Sequence, residues 1–262
     1  MIFQHRDVDI YYESHGEAGE PLLLLHGWGG KCASWAPVIR DFSAERRVIA
    51  LDFPGHGQSS EPPVPWSVAD YVDMVESLLR SLDFANADII GHSHGGRVAI
   101  ALAADKPHLV GKLVLTSAAG LTPRRGPGFH LKKNAFKLMN AAASGPLARR
   151  FFGQQFIDST AERLAARFGS SDYKALSPGM RKTFTLLVNE DLRPRLARIQ
   201  SPVLLIWGDL DTETPLWMAR EMEREIAGAT LEVFSGCGHF AYLDRYPDFK
   251  VLVKRFFTSI RG

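Results

Sequence analysis

The sequence predicts an α/β fold with a mostly parallel sheet covered on both faces. Three observations predict it. Short apolar runs recur along the chain, and they are continuous rather than alternating, as in strands buried on both sides. Stretches with helical spacing separate them. Most of the runs stop at glycine- or aspartate-rich turns. A chain of 262 residues, 45% hydrophobic and 23% charged, is long enough for one large domain of this kind with an inserted subdomain.

The elements follow in order. Residues 1–13 read as two short strands with Asp7 near the turn. Pro21–Leu25 is a compact apolar run ending at His26-Gly27, and Arg47–Leu51 is a second, stopped by Asp52 and the turn Pro54-Gly55-His56-Gly57. Between them Trp35, Val38, Ile39 and Phe42 recur at helical spacing. Ser67 caps an amphipathic helix running to Leu82, with Val68, Tyr71, Val72, Val75, Leu78 and Leu79 on one face. Asp88-Ile89-Ile90 then leads into a glycine turn and a helix from about Gly95 to Lys106, closed by Pro107. Leu113–Leu115, Val203–Ile206 and Leu231–Phe234 are the remaining strands. Phe249, Leu252, Val253 and Phe256 form the apolar face of a last helix.

The rhythm breaks between about Leu121 and Gln200, where helical segments run without a clear strand. That is too long for a loop in a compact domain. The expected organisation is a core from residues 1–120 and 201–262 and a helical cap from 121–200. Charge divides the same way: residues 121–200 hold 15 Lys and Arg against 5 Asp and Glu, net +10, and the rest is −8. Cap helices that solvate their outer faces account for this more simply than an anionic ligand or a membrane surface. Phe136, Met139, Phe151, Phe152, Phe156 and Phe184 are candidates for the cap's own core and for an apolar roof.

The net charge of +2 argues against a nucleic-acid partner. Cys32 and Cys237 lie far apart, without metal-type spacing, which suits a reducing compartment. The first residues do not read as a signal peptide, and no apolar run approaches the ~20 residues that cross a bilayer. A cytoplasmic location is the default expectation.

Gly91-His92-Ser93-His94-Gly95 fits G-x-S-x-G between an apolar strand and a helix. Such a turn lifts the serine hydroxyl above the sheet at a helix N-terminus, where unpaired N–H groups favour developing negative charge. A serine hydroxyl needs a base oriented by a third group. Of nine histidines, His239 lies in a glycine-rich loop directly after the last strand. His92 and His94 flank the serine, and His26 and His56 read as structural residues in turns. After Leu113–Leu115 no carboxylate follows, whereas after Val203–Trp207 three compete: Asp209, Asp211 and Glu213. Asp211 is the choice because it lies well into the loop. Asp209 is the alternative, or a residue that bonds the loop backbone. The backbone N–H groups of Trp28 and His94 are the expected oxyanion donors.

These pieces resemble the α/β-hydrolase superfamily over nearly the whole chain. The matching motifs are His26-Gly27-Trp28-Gly29, Asp52-Phe53-Pro54-Gly55-His56-Gly57-Gln58-Ser59, the Ser93 turn, Trp207-Gly208-Asp209-Leu210-Asp211 and Gly238-His239-Phe240. The resemblance implies an eight-stranded, mostly parallel sheet with the cap inserted after the sixth strand. It carries over Ser93 as nucleophile, Asp211 as acid, His239 as base, and the Trp28 and His94 amides as the oxyanion hole, in the family's chain order. It implies no metal and no organic cofactor. Branches with an aspartate nucleophile are disfavoured, because the position is Ser93. Carboxylesterases, thioesterases, carbon–carbon bond hydrolases of ring-cleavage products, perhydrolases and acyltransferases remain. The expectation is a serine hydrolase that cleaves small to medium carboxylic esters through an acyl-enzyme. The alternatives are carbon–carbon hydrolysis and a non-catalytic ligand receptor on the same scaffold.

Overall fold

The computed structural model describes residues 1–122 and 176–259. Eight strands form one sheet: β1 (Ile2–His5), β2 (Val8–His15), β3 (Pro21–Leu25), β4 (Arg47–Leu51), β5 (Ala87–His92), β6 (Val110–Thr116), β7 (Val203–Gly208) and β8 (Thr230–Phe234). Their spatial order is β1-β2-β4-β3-β5-β6-β7-β8. β1 pairs with β2, and β2 with β4, in antiparallel fashion; every later pair is parallel. The chain therefore starts at one edge, crosses to the middle at β3 and works outward to β8.

The apolar strands are continuous because both faces of the sheet are covered. Alternate residues of one strand enter different cores. Leu23, Leu25, Ile49, Leu51 and Ile89 join one cluster. Leu22, Leu24, Val48, Ala50 and Ile90 join the other. The first cluster is closed by α2 (Val68–Ser81), α3 (His94–Asp105) and α6 (Leu216–Glu225). The second is closed by α1 (Ala36–Phe42) and α8 (Tyr246–Thr258). The capping expected at Ser67 is present: its backbone N–H donates to Asp70 Oδ2 at 2.8 Å, which fixes the start of α2.

Strand β6 is longer than in the sequence reading. The strand expected over Leu113–Leu115 begins at Val110 and includes Lys112, only 2% exposed. Lys112 Nζ donates to the carbonyls of Phe256 (2.8 Å), Phe257 (3.0 Å) and Ser259 (2.5 Å), groups that the end of α8 leaves without helical partners. Beside it Asp88 accepts from Arg46 Nη2 (2.6 Å) and from the Lys112 backbone N–H (2.7 Å).

The cap expected over 121–200 lies outside the described residues from 123 to 175. Its last part is described. Helices α4 (Pro178–Asn189) and α5 (Arg193–Leu196) belong to the same compact unit as residues 1–121. Leu187, Leu192, Leu196 and Ile199 pack into the first core cluster, and Leu192 N–H donates to Gly120 O at 2.8 Å. Of the aromatics named as cap candidates, only Phe184 falls among the described residues. α7 (Ala241–Asp244) follows the loop after β8.

Candidate active site

The carboxyl ends of the parallel strands share one rim, and the residues singled out above lie there. Strand β5 runs into α3 through Ser93, whose φ of 51° and ψ of −113° lie where a non-glycine residue is strained. The surroundings hold it there. Ser93 N–H donates to Thr116 O (3.3 Å), and Ser93 O accepts from Arg97 N–H (3.1 Å) and Ala119 N–H (2.9 Å). The glycines make the turn possible. A Cβ on Gly91 would come within 2.8 Å of Gly95 O, and one on Gly95 would run into Leu25 O. Helix α3 is thus pressed against the end of β3 more closely than any side chain allows.

The loop after β3 brings Trp28 beside this turn. The Trp28 ring meets the rings of His94 (centroids 5.5 Å apart), His56 (4.7 Å) and Phe184 (5.1 Å). Among the described residues, neither Trp28 N–H nor His94 N–H donates to another backbone carbonyl. His26 anchors the loop. Its Nε2 accepts from Phe53 N–H at 2.9 Å, so Nδ1 carries the proton and donates to Gly27 O at 2.7 Å. His56 Nδ1 sits 2.9 Å from Pro54 O and ties the next turn. Burial, reinforced by the neighbouring His56, lowers the His26 pKa to about 4, so the ring stays neutral.

The Asp211 carboxylate lies at the opposite side of the rim, in the loop after β7. Oδ1 accepts from the backbone N–H of Glu213 and of Thr214, both at 2.9 Å. Oδ2 accepts from the Thr214 hydroxyl at 2.8 Å. His239 Nδ1 lies 3.0 Å from Oδ2 and 3.1 Å from Oδ1. The Asp211 side chain is fully buried. Burial alone would raise its pKa. The His239 bond and the Thr214 donors outweigh that and bring it to about 2. Asp209, the competing acid, has another task. Its Oδ1 accepts from Gly236 N–H (2.7 Å) and its Oδ2 from Ser235 Oγ (3.3 Å), which ties the β7 loop to the loop carrying His239.

The third acid of that loop is also close. Glu213 Oε2 lies 3.4 Å from His239 Nε2, the ring nitrogen that Asp211 leaves free. Among the described residues, Ser93 Oγ makes no direct hydrogen bond to His239. The two loops are nevertheless joined one residue earlier. His92 Nε2 donates to the His239 carbonyl at 3.0 Å, and the two rings lie 4.8 Å apart. Burial, with His239 nearby, lowers the His92 pKa to about 3. His94 is likewise held neutral, pushed well down by burial and then by His56, in a cage of Trp28, Phe53 and Tyr71.

Sequence reasoning missed three contributors. His92 reads as a flanking residue and instead bonds the His239 loop. Thr214 has no role in the sequence reading, and its hydroxyl bonds the Asp211 carboxylate. Its hydroxyl lies 2.8 Å from Asp211 Oδ2 and 3.0 Å from Ser117 O. Glu213 reads as a competitor for the acid, and it faces the other ring nitrogen of His239. The spacing of Thr214 three residues after Asp211, just before Pro215, is the one signal that could have found the Thr214 contact. Among the described residues no three His, Cys, Asp or Glu side chains converge on a point that could hold a metal ion.

A sheet of this order, a strained serine between β5 and α3, and a buried Asp–His pair on the loops after β7 and β8 define a class. The chain belongs to the family with the alpha/beta hydrolase fold, whose model matches residues 20–246. Among its relatives is a 2-hydroxy-6-oxononadienedioate/2-hydroxy-6-oxononatrienedioate hydrolase of Pseudomonas putida. It is 29% identical over 96% of this chain and 93% of that one. The acetyltransferase component of the acetoin cleaving system of Cupriavidus necator is 30% identical over 97% of this chain and 68% of that one. Among solved structures, a hydrolase from Pseudomonas aeruginosa superposes with a TM-score of 0.74 at 26% identity, covering 99% of this chain and 98% of its own. The meta-cleavage product hydrolase of Pseudomonas fluorescens gives 0.70 at 26% identity over 96% and 94%. The protein is a hydrolase of this family. Among the described residues, no helix is long and apolar enough to cross a membrane.

Proposed function

We propose that the protein is a serine hydrolase that cleaves small to medium carboxylic esters through an acyl-enzyme on Ser93. The observation that carries this reading is the buried Asp211–His239 bond at the rim that also holds Ser93. With Nδ1–H donated to Asp211, His239 offers Nε2 as an unprotonated acceptor. Once substrate brings the two side chains together, His239 takes the Ser93 proton as the hydroxyl attacks the carbonyl carbon. The developing oxyanion is received by the Trp28 and His94 N–H groups and by the positive end of α3. The carbon–oxygen bond then breaks, and the leaving alcohol receives the proton from Nε2. Water, deprotonated by the same nitrogen, releases the acid and restores Ser93. Two free, buried cysteines fit a reducing compartment for this chemistry.

A fluorophosphonate probe together with a panel of p-nitrophenyl esters of increasing acyl length tests the reading. Labelling confined to Ser93, and lost with ester turnover in Ser93→Ala, is the expected result. Full ester turnover by Ser93→Ala would exclude the serine route. Carbon–carbon hydrolysis of a vinylogous diketone acid is the second reading. The names of the Pseudomonas relatives favour it, and turnover of such an acid above that of every ester on the panel would establish it.

A further inference from the structure

Glu213 has no role in the mechanism above, yet it touches the mechanism's most important nitrogen. Its Oε2 lies 3.4 Å from His239 Nε2. The loop fixes where this carboxylate can be. Glu213 N–H is bound to Asp211 Oδ1 at 2.9 Å, Thr214 after it is buried and bonded to the same acid, and Pro215 then opens α6. The side chain therefore rises from the rim beside the imidazole. It is 65% exposed, and among the described residues no Lys or Arg pairs with it. Among the described residues, the other charged group against His239 is Asp211, itself an anion. His92 packs on the ring and is neutral.

On the serine-hydrolase reading, Nε2 is the atom that hands its proton to the leaving oxygen. The first atoms of the leaving group must then lie against Nε2, and so within a few ångströms of Glu213. Asp211 and Glu213 together carry two negative charges against at most one positive charge on His239. Among the described residues, the charge beside Nε2 is therefore negative even when the imidazole is protonated. We infer that Glu213 sets specificity for the charge of the leaving group. It favours esters of alcohols that carry an ammonium or quaternary ammonium a few bonds from the ester oxygen, and it works against anionic leaving groups. The inference rests on the serine-hydrolase reading for the identity of the leaving-group side. The carboxylate is mostly exposed, so the preference is that of a screened pair, about two- to fivefold in affinity or kcat/KM at low salt.

The experiment uses the intact chain and pairs of isosteric probes. Choline and 3,3-dimethylbutan-1-ol differ only in the charge of the terminal group, and calorimetry compares their binding without any turnover. Butyrylcholine and 3,3-dimethylbutyl butyrate then compare kcat/KM. The expected result is a two- to fivefold preference for the cationic member in both measurements, abolished in Glu213→Gln and reversed in Glu213→Lys. Equal behaviour of the two members in the wild type, including binding too weak to detect for both alcohols, overturns the inference. So does a preference that Glu213→Gln leaves in place. Failure of the serine reading shows separately: the Glu213-dependent binding preference persists while neither ester is cleaved or while Ser93→Ala retains full turnover.

Discussion

Asp211→Asn and Asp209→Asn are the same chemical change two residues apart, and the structure assigns them different consequences. In Asp211→Asn the amide oxygen can keep the two bonds from the Glu213 and Thr214 N–H groups. The amide nitrogen must then face the Thr214 hydroxyl and His239 Nδ1. Two N–H groups cannot bond to each other, so Nδ1 gives up its proton and the ring takes the tautomer protonated at Nε2. On the proposed serine mechanism, that nitrogen can then no longer accept the Ser93 proton. A wrong tautomer in an otherwise intact triad lowers kcat by about 10⁴, equivalent to about 5.5 kcal/mol of barrier. Stability falls as well. The drop of the Asp211 pKa from 3.8 to about 2, at a fully buried side chain, corresponds to about 2 kcal/mol favouring the carboxylate. A lost charge-assisted hydrogen bond gives the same order, and the melting temperature should fall by about 4–8 °C. Asparagine at 209 still accepts from Gly236 N–H through its oxygen and sits on the surface. Its cost should stay below about 1 kcal/mol, with less than about a tenfold loss of kcat. The assay is hydrolysis of p-nitrophenyl butyrate at pH 8, with thermal melts confirming that both variants fold. Equal losses in two folded variants, or an Asp211→Asn enzyme within tenfold of wild type, would refute the assignment of the acid.

Three further outcomes follow from the geometry. His26, His92 and His94 are buried and neutral with depressed pKa values, so the unfolded chain binds protons that the folded one refuses. Stability is then full above about pH 6.5 and declines as pH falls toward 4, by about 2 kcal/mol per histidine at pH 5; a melting temperature flat from pH 7 to 5 would contradict this. Gly95→Ala should cost more than about 3 kcal/mol, because its Cβ meets the backbone of Leu25 in a strand paired on both sides. Gly236→Ala, with φ at 75° and open space around it, should cost only about 1 kcal/mol, and a denaturant series on both variants tests the contrast. Lys112→Met keeps the apolar stem but strips the end of α8 of its cation, with an expected loss of about 3 kcal/mol. Unchanged stability would mean that water serves those carbonyls equally well.

Much of the fold is legible in the sequence because periodicity is local. The run Pro21–Leu25 has the length and the flanking glycine turn of a strand covered twice, and the spacing from Val68 to Leu79 matches one buried helical face. Lys112 shows the limit. A lysine inside a strand breaks the apolar pattern, so the strand reads shorter than it is, and its carbonyl partners lie more than 140 residues away.

The candidate site divides along the same line. Ser93 and His239 are legible because each sits where a strand meets a glycine-rich turn, and position alone aims such residues at the rim. The sequence by itself therefore determines the order of strands and helices, the strained serine turn and the histidine loop. Only the tertiary structure decides which acid of Asp209, Asp211 and Glu213 bonds the imidazole, and that His92 and Thr214 support it. Loop side chains point where non-repeating backbone angles send them, and their partners arrive from other strands. No short-range pattern encodes either.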